Sequence, residues 1–185
     1  MNRGLSEELK TAFPGIIALE RPKFVGSETF EPYWVTGLAE GESCFDASAA
    51  RFVYIYRSIY IDKTNIIKSE RATGGFVVSL RFRLTQHARD EQLLKSLVDF
   101  FDCVRYSPRT NNKNAGDFVV TNFSDIKQKI IPFIEKYPLE GSKKLDFKDF
   151  CEIAEIVKSK GHLTASGLEK IRLIKARMNK GRNNG

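Results

Sequence analysis

Two carboxylates stand close together in residues 33–45, which read YWVTGLAEGESCF. Glu40 and Glu42 lie about 200° apart on an α-helix, so only one of them can easily face a partner at the helix end. Carboxylate oxygens suit hard cations such as Mg²⁺ or Ca²⁺, and carboxylates that two subunits bring together repel each other unless a cation lies between them. The pair therefore indicates either a solvated helix end or one half of a metal site.

Two glycines, Gly37 and Gly41, lie four residues apart on the same helix. They remove side chains from one helix face, so that another backbone can approach closely. The segment is too short and too acidic for a lipid environment. The spacing therefore predicts that two copies of this helix pack together across a twofold axis.

The segments around this helix have the periodicities of an α+β domain. Residues 45–61 are rich in aromatic and β-branched types, and residues 76–85 alternate between apolar and polar side chains, as in a half-buried strand. Further strands are predicted at 104–109 and 117–121, and helices at 90–101, 124–137, 144–158 and 163–179. We expect an antiparallel four-stranded sheet with helices on one face. This domain would span residues 31–185, after an N-terminal helix and linker arm at 1–30.

Local signals predict where several helices begin or bend. Ser6 and Ser124 can each cap a helix, and Ser166 with Glu169 has the spacing of a capping box. Pro132 should bend the helix that contains it.

The composition favours a polyanionic partner. The 185 residues carry a net charge of +7, and 42% of them are hydrophobic, which is enough for a real core. Three widely separated cysteines argue against a disulfide framework and a zinc knuckle. No apolar run is long enough to cross a membrane, and the N-terminus resembles neither a signal peptide nor a transit peptide.

Much of the charge falls on one hairpin. Residues 51–83 contain seven basic and two acidic residues, a surplus of five. A two-stranded β-ribbon fits the major groove of duplex DNA, where alternating Arg and Ser side chains could read base edges. Lys63, Lys68 and Arg71 in the loop could hold phosphates. The other interpretation is a solvated sheet face whose charges keep the protein soluble.

The segment VTGLAEGES resembles the LAGLIDADG motif of the homing endonucleases, with residues 35–43 in the nine motif positions. LTQHARD (84–90), residues 117–147 and residues 161–182 resemble one lobe of the fungal mitochondrial intron-encoded members. The resemblance implies an αββαββα fold whose sheet is a DNA-binding saddle. It also implies metal-dependent hydrolysis of both DNA strands, with Mg²⁺ as cofactor and Ca²⁺ as a non-cleaving substitute.

The resemblance also assigns roles to individual residues. The expected catalytic residues are Glu42, the metal ligand at the eighth motif position, and Gln86, near the cleavage pocket. Glu40 has a structural role and lies with Gly37 and Gly41 at the interface between two lobes. The expected base-contacting positions are Ser48, Ser79, Arg81, Arg83, Arg105, Arg109 and Thr121.

The chain departs from the family pattern at several points. Ser43 replaces the last glycine of the motif, and Asn122 lies where related sequences carry lysine, so the basic residue of the pocket is not identified. Only one motif is present, and residues 1–16 resemble the linker after the first lobe of two-lobe members. The chain therefore resembles a second lobe with its connector.

These observations predict a site-specific DNA endonuclease of intron homing that acts on double-stranded DNA as a homodimer or with a second lobe. By resemblance its location is the mitochondrion. The competing hypothesis is a catalytically inactive half that binds DNA, or an RNA-binding maturase. Because A-form RNA hides its major groove, an RNA role would rely on loops and backbone.

Overall fold

A computed structural model describes residues 6–17, 29–51, 76–103, 105–109 and 114–179. Its elements are α1 (Glu7–Ala12), α2 (Pro32–Glu42), β1 (Ser43–Arg51), β2 (Phe76–His87), α3 (Glu91–Phe101), β3 (Arg105–Pro108), β4 (Ala115–Val120), α4 (Phe123–Asp125), a π-helical turn (Ile126–Ile130), α5 (Ile131–Lys136), α6 (Lys143–Lys158) and α7 (Ala165–Ala176). From α2 to α5 this is the predicted αββαββα order. None of the described helices is long and apolar enough to cross a bilayer.

The four strands pair antiparallel in the spatial order β1-β2-β4-β3. Phe82 and Leu84 of β2 and Phe118 of β4 are buried on one face, whereas Arg81 and Arg83 alternate with them on the other. The covering helices complete a core that includes Phe45, Leu94, Leu97, Ile130, Phe150, Ile153 and Ile171. The prediction of an antiparallel sheet with helices on one face is confirmed.

The helical segment after β4 starts differently from the prediction. The side-chain oxygen of Asn122 accepts a hydrogen bond from the N–H of Ser124 (2.8 Å), so Asn122 is the cap and Ser124 is not. Residues Ile126–Ile130 form a π-helical turn directly before the segment that contains Pro132. Since proline lacks an N–H, the wider turn accommodates the missing hydrogen bond.

Side-chain caps also begin the helices α1 and α7. Ser6 caps α1 as predicted, because its hydroxyl accepts from the N–H of Leu9 (3.3 Å). At α7 the prediction of a capping box formed by Ser166 and Glu169 is wrong. Thr164, which has extended backbone, accepts from the N–H of Gly167 (3.1 Å) and is the cap.

The residues after α7 return to the outer edge of β1. Met178 is buried, and the side-chain amide of Asn179 donates to the carbonyl of Phe45 (2.9 Å). The backbone N–H of Asn179 donates to Asp146 (3.0 Å). Asn179 has a φ of 53°, in the left-handed region that asparagine tolerates better than most residues. These contacts fix the end of the described chain against the first strand.

Two of the three free cysteines have weakly acidic thiols. Burial raises the pKa of Cys103 to about 11 and that of Cys151 to about 12. Because the thiolate is the nucleophile, we expect iodoacetamide at pH 8 to alkylate both residues at least about 100-fold more slowly in the native protein than in urea. Mass spectrometry of the alkylated peptides measures this ratio. Similar rates in the two states would contradict the prediction.

Candidate functional site

The motif helix α2 passes directly into β1. Its start is capped by Glu31, whose carboxylate accepts from the N–H of Trp34 (3.0 Å), and Pro32 occupies the first turn. At its end, Ser43 has a φ of −84° and a ψ of 160°, which is extended backbone. The serine at the last motif position therefore needs none of the conformational freedom of a glycine.

The two motif carboxylates lie in different surroundings. Glu42, the last residue of α2, is exposed. Glu40 is half-buried, and its Oε2 is buried without a hydrogen bond to the described residues. Its carboxylate packs against Gly141, where any side chain would collide with it. This geometry supports a structural role for Glu40 and leaves Glu42 open to a partner, while the metal-binding role of Glu42 stays a prediction.

The segment between α5 and α6, together with the first residue of α6, makes hydrogen bonds to the middle and the end of α2. The hydroxyl of Thr36 donates to the carbonyl of Tyr137 (3.0 Å). The ammonium of Lys143 donates to the carbonyls of Glu40 (2.7 Å) and Gly41 (3.1 Å). Lys143 was not predicted as part of the site, because the helix was expected to begin one residue later, at 144.

The glycine face of α2 is open. Gly37 and Gly41 are exposed, and a Cβ added at either would meet no atom within 4 Å. Tyr33 and Trp34, one turn earlier, also have large exposed fractions, at 61% and 45%. An exposed strip of this kind leaves room for the backbone of a second helix, as the spacing of the glycines predicts.

Gln86 lies at the same end of the sheet as Glu42. Leu84 pairs with Ser43, the residue after Glu42, and Gln86 follows two residues later, opposite Gly116 of β4. The described residues contain no cluster of three acidic, histidine or cysteine side chains that could hold a metal by itself. The exposed carboxylate of Glu42 is chemically suited to supply one oxygen ligand to a hard cation.

The helix-free face of the sheet carries polar side chains in register. Ser48 and Ser79 face each other across β1 and β2, with 2.7 Å between their hydroxyl oxygens. Two residues along, Arg81 lies opposite Asp46, with 3.5 Å between the guanidinium and the carboxylate. Thr121, the seventh predicted base contact, directly follows β4 and is half-buried.

The next row holds two arginines for which the described residues offer no carboxylate partner. Arg83 and Arg105 both lie opposite Val119 of β4, one on each side of it. The described residues give neither arginine an ion pair, and the Nε of Arg83 is buried there without a hydrogen bond. Within the described part of the chain, the terminal nitrogens of both guanidinium groups therefore have donors left for a ligand. The structure therefore brings five predicted base-contacting residues of β1, β2 and β3 onto one face.

Arg109, in contrast, belongs to a closed network with Thr85 and Asp117. Its Nε lies 2.8 Å from Oδ2 of Asp117, and its Nη2 donates to the hydroxyl of Thr85 (2.9 Å). That hydroxyl in turn donates to Asp117 (2.8 Å), which is only 8% exposed. The hydrogen bond to Asp117 raises the pKa of the Arg109 guanidinium. Of its three nitrogens, Nη1 is the one without a hydrogen bond to the described residues, so Arg109 has fewer donors left than Arg83.

Replacing Asp117 with asparagine should destabilise the fold. The substitution leaves the Arg109 charge uncompensated beside a buried amide, and we expect the free energy of unfolding to fall by about 1–3 kcal/mol. Asp46→Asn is the matched control, because the longer, partly exposed pair with Arg81 should contribute less than about 1 kcal/mol. Urea unfolding of the two variants tests the difference, and equal losses would contradict it.

The predicted phosphate contacts Lys63, Lys68 and Arg71 lie outside the described residues. Their roles stay predictions from the sequence. Asp46 and Asp117, two carboxylates on the sheet face, were not predicted as site residues. Asp46 lies in a strand opposite Arg81, which was a usable signal, whereas Asp117 lies opposite Thr85 and Ser107 and meets Arg109 only in the folded structure.

A family profile described as "LAGLIDADG endonuclease" matches residues 35–154. The chain is 37% identical over 181 residues to "Probable intron-encoded endonuclease 2" of Neurospora crassa, covering 92% of this chain and 34% of that protein. The homing endonuclease I-SmaMI bound to cleaved DNA superposes with a TM-score of 0.81 and 38% identity, over 98% of this chain and 55% of that chain. I-SmaMI also has a structure with uncleaved DNA in the presence of calcium ions. I-LtrWI bound to target DNA gives a TM-score of 0.79 and 40% identity, again over 98% and 55%.

Proposed function

The chain belongs to the LAGLIDADG endonuclease family, and from this membership we propose that it forms one lobe of an enzyme that hydrolyses both strands of a specific DNA site. The observation that carries the proposal is the exposed Glu42 at the end of a helix with an open glycine face. The chain spans about a third of the Neurospora relative and about half of the two solved chains. The proposal therefore describes a lobe that acts with another lobe.

We propose that a second motif helix packs on the face of Gly37 and Gly41. The second helix comes from another copy of this chain or from a different lobe. Such packing brings Glu42 close to the equivalent carboxylate of the other lobe. Because two carboxylates at short distance repel each other, the pair would require a cation between them.

The proposed cation is Mg²⁺, with Ca²⁺ as a non-cleaving substitute, and the calcium-containing structure of uncleaved DNA with I-SmaMI supports this choice. When bound, a divalent cation would activate a water molecule and stabilise the leaving oxygen of an in-line phosphodiester displacement. In this chain Glu42 would hold the cation. Gln86, at the same end of the sheet, would orient groups in the pocket around the scissile phosphate.

The proposed DNA-binding surface is the helix-free face of the sheet. That I-SmaMI and I-LtrWI are bound to DNA supports DNA as the partner of this chain. Arg83 and Arg105 would contribute most to base recognition, since the described residues leave their guanidinium groups without ion pairs. Lys63, Lys68 and Arg71 would hold phosphates. The name of the Neurospora relative, an intron-encoded fungal endonuclease, supports a role in intron homing, which we propose takes place in the mitochondrion.

The test combines cleavage with assembly. The protein is incubated with a randomised duplex library in Mg²⁺, Ca²⁺ or EDTA, and sedimentation is measured with and without the selected DNA. We expect double-strand breaks at a near-palindromic sequence in Mg²⁺ alone, together with a dimer on the DNA. Tight binding to duplex or to intron RNA without breaks in any condition would instead support the inactive half or the maturase.

A further inference from the structure

Two lysines occupy an unfavourable place at the start of α6. Lys143 and Lys144 are the first two residues of this helix of 16 residues, and the preceding Ser142 makes no side-chain capping hydrogen bond. The N-terminus of a helix carries a partial positive charge, so cations there destabilise it slightly. Asp146 is the only acidic residue in this first turn. The two lysines therefore slightly destabilise the start of α6. We expect a favourable interaction with another part of the fold to offset this cost.

Lys143 reaches the opposite end of a different helix. Its half-buried side chain donates to the carbonyls of Glu40 and Gly41, at 2.7 and 3.1 Å. The last carbonyls of an α-helix have no partners within the helix and carry its partial negative charge. A cation that is unfavourable on α6 is therefore favourable at the end of α2.

The surrounding contacts hold Lys143 in this position. Leu139 is 1% exposed, and Gly141 packs against the Glu40 carboxylate. The bond from Thr36 to Tyr137 fixes the same segment one turn earlier on α2. Lys143 is thus presented by a packed turn, and its two acceptors directly precede Glu42 in the chain.

We propose that Lys143 is a positioning residue for Glu42. It fixes the last turn of α2 and thereby the place from which the Glu42 carboxylate reaches the scissile phosphate. The effect on cleavage rests on the function proposed above, whereas the effect on the end of α2 does not.

The first measurement is amide hydrogen exchange in the absence of metal and DNA. Lys143→Met keeps the length of the side chain and removes its charge, and we expect exchange at residues 40–44 to become about tenfold faster, with α3 and the β2–β4 pairing unchanged. Lys143→Arg should retain most of the protection. Lys144→Met, which removes the same charge from the neighbouring exposed position, should change nothing at residues 40–44. Unchanged exchange in Lys143→Met, or the same increase in Lys144→Met, would overturn the proposal.

The second measurement separates positioning from general stability. In Mg²⁺ we expect Lys143→Met to cleave about 10- to 100-fold more slowly, because a displacement near 1 Å at a reacting group costs rates of that order. Its affinity for DNA in Ca²⁺ should stay within about threefold of the parent. Equal losses of affinity and rate would show a purely structural role and overturn the proposal. If the parent chain cleaves no DNA, the proposed function fails, and the exchange experiment alone decides the role of Lys143.

Discussion

Glu42→Gln is expected to slow DNA cleavage by roughly 100- to 1000-fold while leaving the fold unchanged. The side chain is exposed at the end of α2, so the amide replaces the carboxylate without creating a cavity or an unpaired buried group. If Glu42 has the proposed metal-ligand role, the lost interaction is the one with the cation, because a neutral amide is a much weaker ligand for a hard cation than a carboxylate.

Cleavage rates in Mg²⁺, DNA affinity in Ca²⁺ and thermal unfolding together test this expectation. Glu155→Gln is the control, since Glu155 is an exposed carboxylate on α6 whose partner is Lys158. The control should retain the parent rate within about twofold. A Glu42→Gln variant that cleaves as fast as the parent would refute the metal-ligand role.

Substitutions on the glycine face should change the isolated lobe and the assembly in opposite directions. Gly37 lies inside α2 in open space, so Gly37→Ala should stabilise the lobe by about 0.5–1 kcal/mol through its higher helix propensity. A Cβ at Gly37 or Gly41 meets no atom within 4 Å, so Gly37→Leu and Gly41→Leu start from open space on the helix surface. The bulky side chains would nevertheless keep a second helix away, and we expect dimerisation on DNA and cleavage to be lost.

Sedimentation on DNA, cleavage and thermal unfolding test this pair of effects. Ala176→Leu places the same side chain at an exposed position of α7 and should affect neither assembly nor cleavage. Normal dimers and normal cleavage in the two leucine variants would show that α2 is not the contact between lobes.

The periodicity of the sequence was sufficient to predict the sheet. From Val78 to Thr85 of β2 apolar and polar residues alternate, and a one-residue shift of the register would expose Phe82 and Leu84 while burying Arg81 and Arg83. Such a pattern favours one arrangement of the strand, because the alternative would bury two charges.

The helix starts were harder to predict, since several neighbouring residues could act as caps. Asn122 and Ser124, or Thr164 and Ser166, each offer a side-chain oxygen near the first turn. The residue that became the cap has extended backbone in both cases. That conformation depends on how the preceding segment leaves the sheet or the turn, which residue types alone do not specify.

The candidate site was predictable where one local segment forms it and unpredictable where distant segments meet. Glu42 and the two glycines lie within one helix, so their relation follows from the helical repeat. Lys143 is about a hundred residues away along the chain, and only the folded structure brings it to the end of α2. The network of Thr85, Asp117 and Arg109 likewise requires three strands to be placed side by side.

The hydrogen bond from Asn179 to Phe45 has a consequence for how copies of the chain meet. Within the described sheet β1 is an edge strand, and an uncovered edge invites another edge strand to pair with it. Asn179 occupies the outward carbonyl of Phe45. The amide thereby occupies one acceptor that another edge strand would need in order to pair with β1. A single asparagine at the rim thus opposes edge-to-edge pairing at this point of the sheet.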